Sequence, residues 1–223
     1  MLGTLININW VDLLSQPVQR EVRGRMQRRF YRAGEVLHRK GDPATHLYEL
    51  IDGKLNISFL TRDGREFWPV QFEAGDAFGE QGLIDGAPRA NTIMAQVDST
   101  VALLMRDDFE QLRSTHNEIE RALSVVSVKY QRLADEFLED LSTLDTSQRL
   151  AKLLCGLAAR YGSGDGNTVT LDIGISQEQI ARMLYTSRQS VSKELHALRQ
   201  QGIVETRREK LVIKDLAALQ QLF

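Results

Sequence analysis

Short alternations of apolar and polar residues run from about Phe30 to Leu104, as in HLYELIDGKLNISFL, EFWPVQFEAGDAF and NTIMAQVDSTVALLM. Turn-forming residues cut them apart: Asp52-Gly53, Asp63-Gly64, Ala74-Gly75-Asp76 and Asp85-Gly86. Many short strands at this spacing predict a closed or sandwiched antiparallel β fold. Asp63-Gly64, flanked by apolar runs, is the clearest hairpin turn.

Between Asp107 and about Leu144 proline and glycine are absent and the period becomes helical. Ile119, Leu123, Val126, Tyr130, Leu133 and Phe137 recur at spacings of four and three, a seam of about three heptads interrupted by Asp140. Such a seam either covers the β domain or pairs with its twin in a dimer. A strict stripe is narrower than most core faces, which favours the twin. The seam weakens at Ser142–Asp145, where Ser, Thr and Asp cluster, and this is the expected hinge.

Beyond it, SQRLAKLLCGLAARYG predicts an amphipathic helix ending at Gly162, followed by the loop SGDGN and a short strand, TVTLDI. The segment from Ile175 to Lys214 then predicts helix, tight turn, helix and a two-stranded hairpin. Ser176 and Gln179 form a capping box for the first helix. Ile180, Ala181, Leu184, Val191, Leu195 and Leu198 supply apolar faces on which two short helices cross. Arg188, Gln189, Ser192 and Lys193 point outward near the start of the second helix, as a recognition helix entering a major groove requires. Arg188 suits guanine and Gln189 adenine, while Thr186, Ser187 and Ser190 are placed for phosphate. Arg207 and Arg208 sit at the hairpin tip, where a wing would touch DNA. DLAALQQLF at the end predicts a short amphipathic helix packing back on the wing.

Composition narrows the classes. Hydrophobic residues make up 42% and charged residues 26% of 223 residues, as in a soluble globular protein. No apolar run is long enough to span a bilayer, MLGTLININWVDLL lacks the features of a signal peptide, and a cytoplasmic location fits. One cysteine excludes an intramolecular disulfide and any all-cysteine metal or cluster site within one chain. Cys155 reads as a core thiol. His38, His46, His116 and His196 are scattered without ligand spacing, so neither a metal site nor an enzyme is expected. The net charge is −2, but the chain from Asp172 onward carries +2, which permits a nucleic-acid surface there. In FGEQGLIDGAPRANTIMA, Glu80 and Arg89 are lone charges in a small, apolar run. Burying them is costly unless they pair with each other or with a ligand.

In order along the chain, RRFYRAGEVLHRKGDPATHLYELIDGKLNI, FGEQGLIDGAPRANT, the long helix and SQEQIARMLYTSRQSVSKELHALRQQGIV resemble the Crp/Fnr transcription regulators. The resemblance implies an α+β fold: an N-terminal antiparallel β-roll that binds cyclic nucleotide (1–106), a long dimerisation helix with hinge (107–144) and a C-terminal winged helix-turn-helix (145–223). It implies a homodimer on a two-fold-related double-stranded DNA site, acting through RNA polymerase, with no membrane partner. GEQGLIDGAPRANT resembles the phosphate-binding cassette of cyclic-nucleotide-dependent kinase subunits. By that likeness Arg89 and the amides around Gly79, Gln81, Gly82 and Leu83 hold the cyclic phosphate, Glu80 takes the ribose 2′-hydroxyl, and Ala90 and Asn91 complete the cradle.

The base is read elsewhere. Cyclic-AMP-responsive members use an adjacent Thr-Ser on the dimer helix, and gapless counting puts Ala134 and Asp135 in those places, near Tyr130. Asp135 accepts hydrogen bonds only, which suits guanine's paired N–H groups. The Thr that follows the phosphate-binding Arg in cyclic-GMP-dependent kinases is absent, since Ala90 stands there. Cyclic AMP is the favoured effector, with cyclic GMP as the rival and no covalent cofactor. Gln189 replaces the family's Glu, so the half-site is expected to differ. The alternatives are a degenerate pocket with a Glu80–Arg89 ion pair, or a haem-based gas sensor using His38, His46 or His116.

Overall fold

A computed structural model describes residues 9–60, 66–67, 70–164, 166–207 and 210–223. The Asp63-Gly64 turn, Asp165 and Arg208 lie outside these, as does the Arg207 side chain. The described residues form two compact units. One holds the described residues of 9–66 and 70–132, the other Phe67 and the described residues of 133–223.

The first unit begins with a 3-10 turn at Val11–Leu13 and helix α1, Gln16–Gly24. Strands β1 (Gln27–Tyr31), β2 (Val36–His38), β3 (His46–Asp52), β4 (Lys54–Leu60), β5 (Glu66–Phe67), β6 (Gln71–Glu73) and β7 (Ala77–Phe78) follow, although Phe67 at the end of β5 groups with the second unit. Helix α2 (Gln81–Ile84), β8 (Thr92–Ala95), β9 (Ser99–Met105) and α3 (Arg106–Thr115) come next. The strands form antiparallel sheets of order β1-β9-β3-β7 and β2-β8-β4-β5, with β6 also on β4. Alternating inward positions build a core that includes Tyr48, Leu50, Leu55, Phe72, Phe78, Ile93 and Val101. The turn between β3 and β4 requires glycine: Gly53 has φ +106°, and a Cβ there would lie 2.2 Å from Ser99 Oγ.

The helical stretch after β9 is not continuous. His116, with φ −124° and ψ 95°, separates α3 from α4, Asn117–Thr143. Its Nε2 lies 2.9 Å from Glu21 Oε2. The predicted seam also serves differently in its first half. Ile119, Leu123 and Val126 are buried within the chain itself, whereas Val125, Val128 and Leu138 are exposed.

The second unit holds α5 (Thr146–Tyr161), β10 (Gly162–Ser163), β11 (Val169–Leu171), α6 (Gln177–Leu184), α7 (Arg188–Gln200), β12 (Val204–Arg207), β13 (Lys210–Ile213) and α8 (Leu216–Gln220). Only Leu144 and Asp145 separate α4 from α5, and Asp145 closes a capping box with Gln148. Across this junction Lys152 Nζ meets Asp140 Oδ1 at 2.7 Å and Glu136 Oε1 at 2.9 Å. Burial opposes ionisation of Asp140, but the bond from Lys152 holds its pKa below the usual carboxylate range. Residues of α5, α6, α7, β11, β12, β13 and α8 share one core. The predicted hairpin is part of a four-stranded sheet, β10-β11-β13-β12, because Gly162 and Ser163 pair with Leu171 and Thr170. The terminal helix packs chiefly on α5, not on the wing: Leu219 is fully buried, and Asn167 fastens the start of α8.

Candidate functional site

Two sites emerge, one in each unit. In the first, a recess is lined by Gly79, Glu80, Gln81, Gly82, Arg89, Ala90, Asn91 and Tyr130, with apolar walls from Ile57, Val70, Phe72, Phe78 and Ile93. Leu83 is not part of the lining; it is buried at 2% exposure and anchors α2 from beneath. Ala134 and Asp135, in the next turn of α4, are solvent-exposed and do not line the recess.

Gly79 and Gly82 allow the approach. With φ +88° at Gly79, a Cβ would stand 2.9 Å from Arg89 Nη1 and 3.1 Å from Tyr48. At Gly82 it would meet Ala44 Cβ at 2.6 Å and the Ala87 carbonyl at 2.7 Å.

Arg89 is held from several sides. Its Nη1 donates to the Gly79 carbonyl at 2.7 Å, its Nη2 to the His46 carbonyl, and its guanidinium lies 5.4 Å from the Tyr48 ring centre. Its backbone is tied to Gly41 and Asp42. Among the described residues no ion pair joins it to Glu80. Arg89 Nε and Glu80 Oε2 are both buried without a hydrogen-bond partner. Burial pushes the Glu80 carboxyl up to about 7 and lowers the Arg89 pKa. Each charge is therefore fixed in low dielectric and lacks a full set of partners, an arrangement that suits a ligand offering an anion and a hydroxyl.

Sequence reasoning missed the supports. Arg106 reaches under α2, donating to the carbonyls of Ala44 at 2.6 Å and Gly82 at 3.0 Å. Tyr48 stacks on Phe78 at 5.0 Å between ring centres and lies 3.2 Å from His38 Nδ1. Burial, then the charge of Arg89, lowers the pKa values of His38 and His46 to about 4, so both rings are neutral near pH 7. Tyr130 donates to the Ala77 carbonyl at 3.3 Å. The signal in sequence is an arginine or aromatic at a strand end, which composition alone does not separate from ordinary packing. Cys155 is half-buried against the second core, and burial pushes its thiol up to about 11.

The second site is the α6–α7 pair. The Ser176–Gln179 capping box opens α6, and Ser187 Oγ accepts from the Ser190 amide to open α7. Ser187 and Ser190 hydroxyls lie 2.9 Å apart, so both help hold this first turn. Ile180, Ala181, Leu184, Val191, Leu195 and Leu198 are buried in the common core. Arg188, Gln189, Ser192 and Lys193 are exposed on the opposite side of α7, and the Lys193 side chain is 83% exposed. Thr186 is half-buried in the turn. In the wing, Lys210 pairs with Asp172 at 2.8 Å and Arg199 donates to Thr206 at 3.0 Å.

A recess with buried, under-partnered Glu and Arg, joined in one chain to a winged helix-turn-helix, marks the class of DNA-binding regulators that carry a ligand-binding domain. The comparisons with known proteins name the class more closely. Residues 28–116 match the cyclic nucleotide-binding domain, and residues 148–222 match the Crp-like helix-turn-helix domain. The chain belongs to the Crp/Fnr family of transcription regulators. A CRP-like cAMP-activated global transcriptional regulator from Mycobacterium tuberculosis is 29% identical over 182 residues, 82% of this chain and 81% of that protein. The cyclic AMP receptor protein of Thermus thermophilus is 28% identical over 196 residues, 88% of each chain. A solved CooA variant from Carboxydothermus hydrogenoformans superposes with a TM-score of 0.79 over 98% of this chain and 96% of that one. At 23% identity that last likeness speaks for the fold alone. Among the described residues no helix is long and apolar enough to cross a membrane.

Proposed function

We propose that the protein is a cyclic-nucleotide-responsive regulator that binds DNA as a homodimer, with cyclic AMP as its effector. The observation that carries the reading is the pair of orphaned buried atoms, Glu80 Oε2 and Arg89 Nε, in a glycine-floored recess. Arg89, with the amides of Gln81 and Gly82, holds the cyclic phosphate, and Glu80 accepts from the ribose 2′-hydroxyl. A buried charge with no partner is costly, and a bound phosphodiester and hydroxyl would offset that cost. Relatives named as cAMP-activated support cyclic AMP.

The division into a β-roll (1–106), a helix with hinge (107–144) and a winged domain (145–223) belongs to the same proposal. Val125 and Val128 are exposed on α4, five and two residues before Tyr130, and supply apolar surface for a second copy. In that pairing Ala134 and Asp135 would face the base, and the packing of α4 between Tyr130 and Phe137 would respond to it. The Leu144–Asp145 junction lets α7 and its twin reach major grooves about 34 Å apart. Arg188, Gln189, Ser192 and Lys193 read bases, with Thr186, Ser187 and Ser190 at phosphates; Arg207 and Arg208 extend the contact from the wing. RNA polymerase is the expected downstream partner.

Side-by-side calorimetric titration with cyclic AMP and cyclic GMP tests this. Heat with tighter binding of cyclic AMP is the expected result. Tighter cyclic GMP would make Asp135 the dominant base reader and overturn the choice of effector. Absence of heat with both would leave a DNA-binding protein whose recess is not a cyclic nucleotide site.

A further inference from the structure

Tyr185 ends α6 in the left-handed region, with φ 52° and ψ 49°. Among the described residues no other non-glycine residue has a positive φ. Its own amide and that of Thr186 both donate to the Ala181 carbonyl, which closes the helix as a left-handed cap does. Glycine, or asparagine, is the ordinary occupant of that conformation, and a bulky aromatic there is a strained exception. Strain retained at one position directs attention to what its side chain does.

Packing does not account for it. The neighbours Ile180, Ala181, Met183 and Leu184 are buried in the core, whereas Tyr185 is 50% exposed and takes no part in that core. Its one described ring contact is with Phe67 in the same compact unit, edge-on at 5.0 Å between centres. Glycine would keep both backbone hydrogen bonds and remove the strain. Tyr185 also stands two residues before Ser187, the cap of α7, and three before Arg188.

We propose that Tyr185 is a DNA-contacting residue, its ring lying against the sugar–phosphate backbone at the edge of the major groove and its hydroxyl donating to a phosphate oxygen. The inference rests on the DNA-binding reading of α6 and α7. A recognition helix enters the groove by its N-terminal end, so the turn before it is carried to the strand bordering that groove. Tyrosine hydroxyls are among the side chains that contact phosphate, and such contacts set register without reading sequence. The contact is uncharged, so it adds affinity without adding to the salt dependence that Lys and Arg create.

The test uses the full-length protein, a duplex selected by the wild type from a random double-stranded library with cyclic AMP present, and the variants Tyr185→Gly and Tyr185→Phe. Tyr185→Gly should unfold at the same or a higher temperature, because the left-handed strain is gone. It should nevertheless bind the selected duplex about tenfold more weakly, with the same factor on singly mismatched duplexes. The slope of log affinity against log salt should not change. Tyr185→Phe, keeping the ring and losing the hydroxyl, should fall between the two. Wild-type affinity in Tyr185→Gly would overturn the proposal. So would tighter binding, which would make the Phe67 contact a restraint on the helix pair, and so would a loss of affinity that merely follows a loss of stability. A wild-type protein that selects no duplex fails at the level of DNA binding itself and takes this inference with it.

Discussion

Glu80 and Arg89 are 3% and 5% exposed, and each keeps a buried polar atom without a partner. Arg188, Gln189, Ser192 and Lys193 stand in solvent on a helix whose cap is closed by Ser187. The two sites prepare for their ligands in opposite ways. The first strips its groups of water during folding, so part of the binding cost has been met before a ligand arrives. The second leaves its groups hydrated and flexible, and meets that cost on contact with DNA. Substitutions in the recess should therefore change stability as well as binding, whereas substitutions on α7 should change binding alone.

The largest effect is expected for Arg89→Leu, which should weaken cyclic AMP binding at least about 100-fold by calorimetry. Retained affinity would mean that the recess does not depend on its buried cation, and the contrast between the sites would lose its basis. Next, the lysine-paired and the under-partnered buried carboxylates can be set against each other. Lys152→Met takes the lysine from beside Asp140 and should lower stability by about 2 kcal/mol in denaturant titration. Glu80→Gln removes a buried carboxylate whose Oε2 has no hydrogen-bond partner and should raise apo stability at pH 8 by about 1–2 kcal/mol. Stability changes of the same sign in both variants would break the distinction.

Glu80 also makes the recess pH-sensitive. Its folded pKa is raised to about 7 from an ordinary 4.5, so its contribution to apo stability is complete below about 4.5 and lost as pH rises through 7. Nucleotide binding should run the other way. The acceptor form is the ionised one, and affinity should fall about tenfold between pH 8 and pH 6. The Glu80 share of both dependences should vanish in Glu80→Gln. The difference between wild type and variant separates this group from His38 and His46, whose lowered pKa values act on stability with the opposite sign. On α7, Arg188→Ala should cost about 1 kcal/mol of discrimination at one base pair and leave the unfolding temperature unchanged. The smallest effect is Arg208→Ala, which should reduce the salt slope by about 1 with little change in selectivity. A shift in unfolding temperature from Arg188→Ala would blur the contrast from the other side.

The two architectures were legible because local chemistry announced them. Gly53 sits in a turn no other residue fits, and the Ser176–Gln179 box appears where the sequence places it. What the sequence obscured is tertiary. Nothing at His116 distinguishes a helix break from a helix interior, since neither glycine nor proline marks it. The stripe from Ile119 to Phe137 has the period of a coiled coil, yet Ile119, Leu123 and Val126 are spent on the chain's own core; a period says which residues share a face, not what covers it. Gly162 and Ser163 are too short a run to announce a strand and gain one only from the register with β11. Whether Glu80 and Arg89 meet each other depends on Å-scale placement, and so do the supports from Tyr48 and Arg106. Tyr185 hides for the opposite reason: its residue type argues against the conformation it adopts.

Ala134 and Asp135 project into water and can be exchanged at little cost to the fold. Gly79 and Gly82 cannot, because any side chain there collides with Arg89, Tyr48 or Ala44. On the proposed reading, a lineage carrying this chain can drift from one purine messenger to another by single surface substitutions, while the part that grips the phosphate stays frozen. Signal identity and signal capture are thus inherited separately, and closely similar chains need not answer to the same molecule.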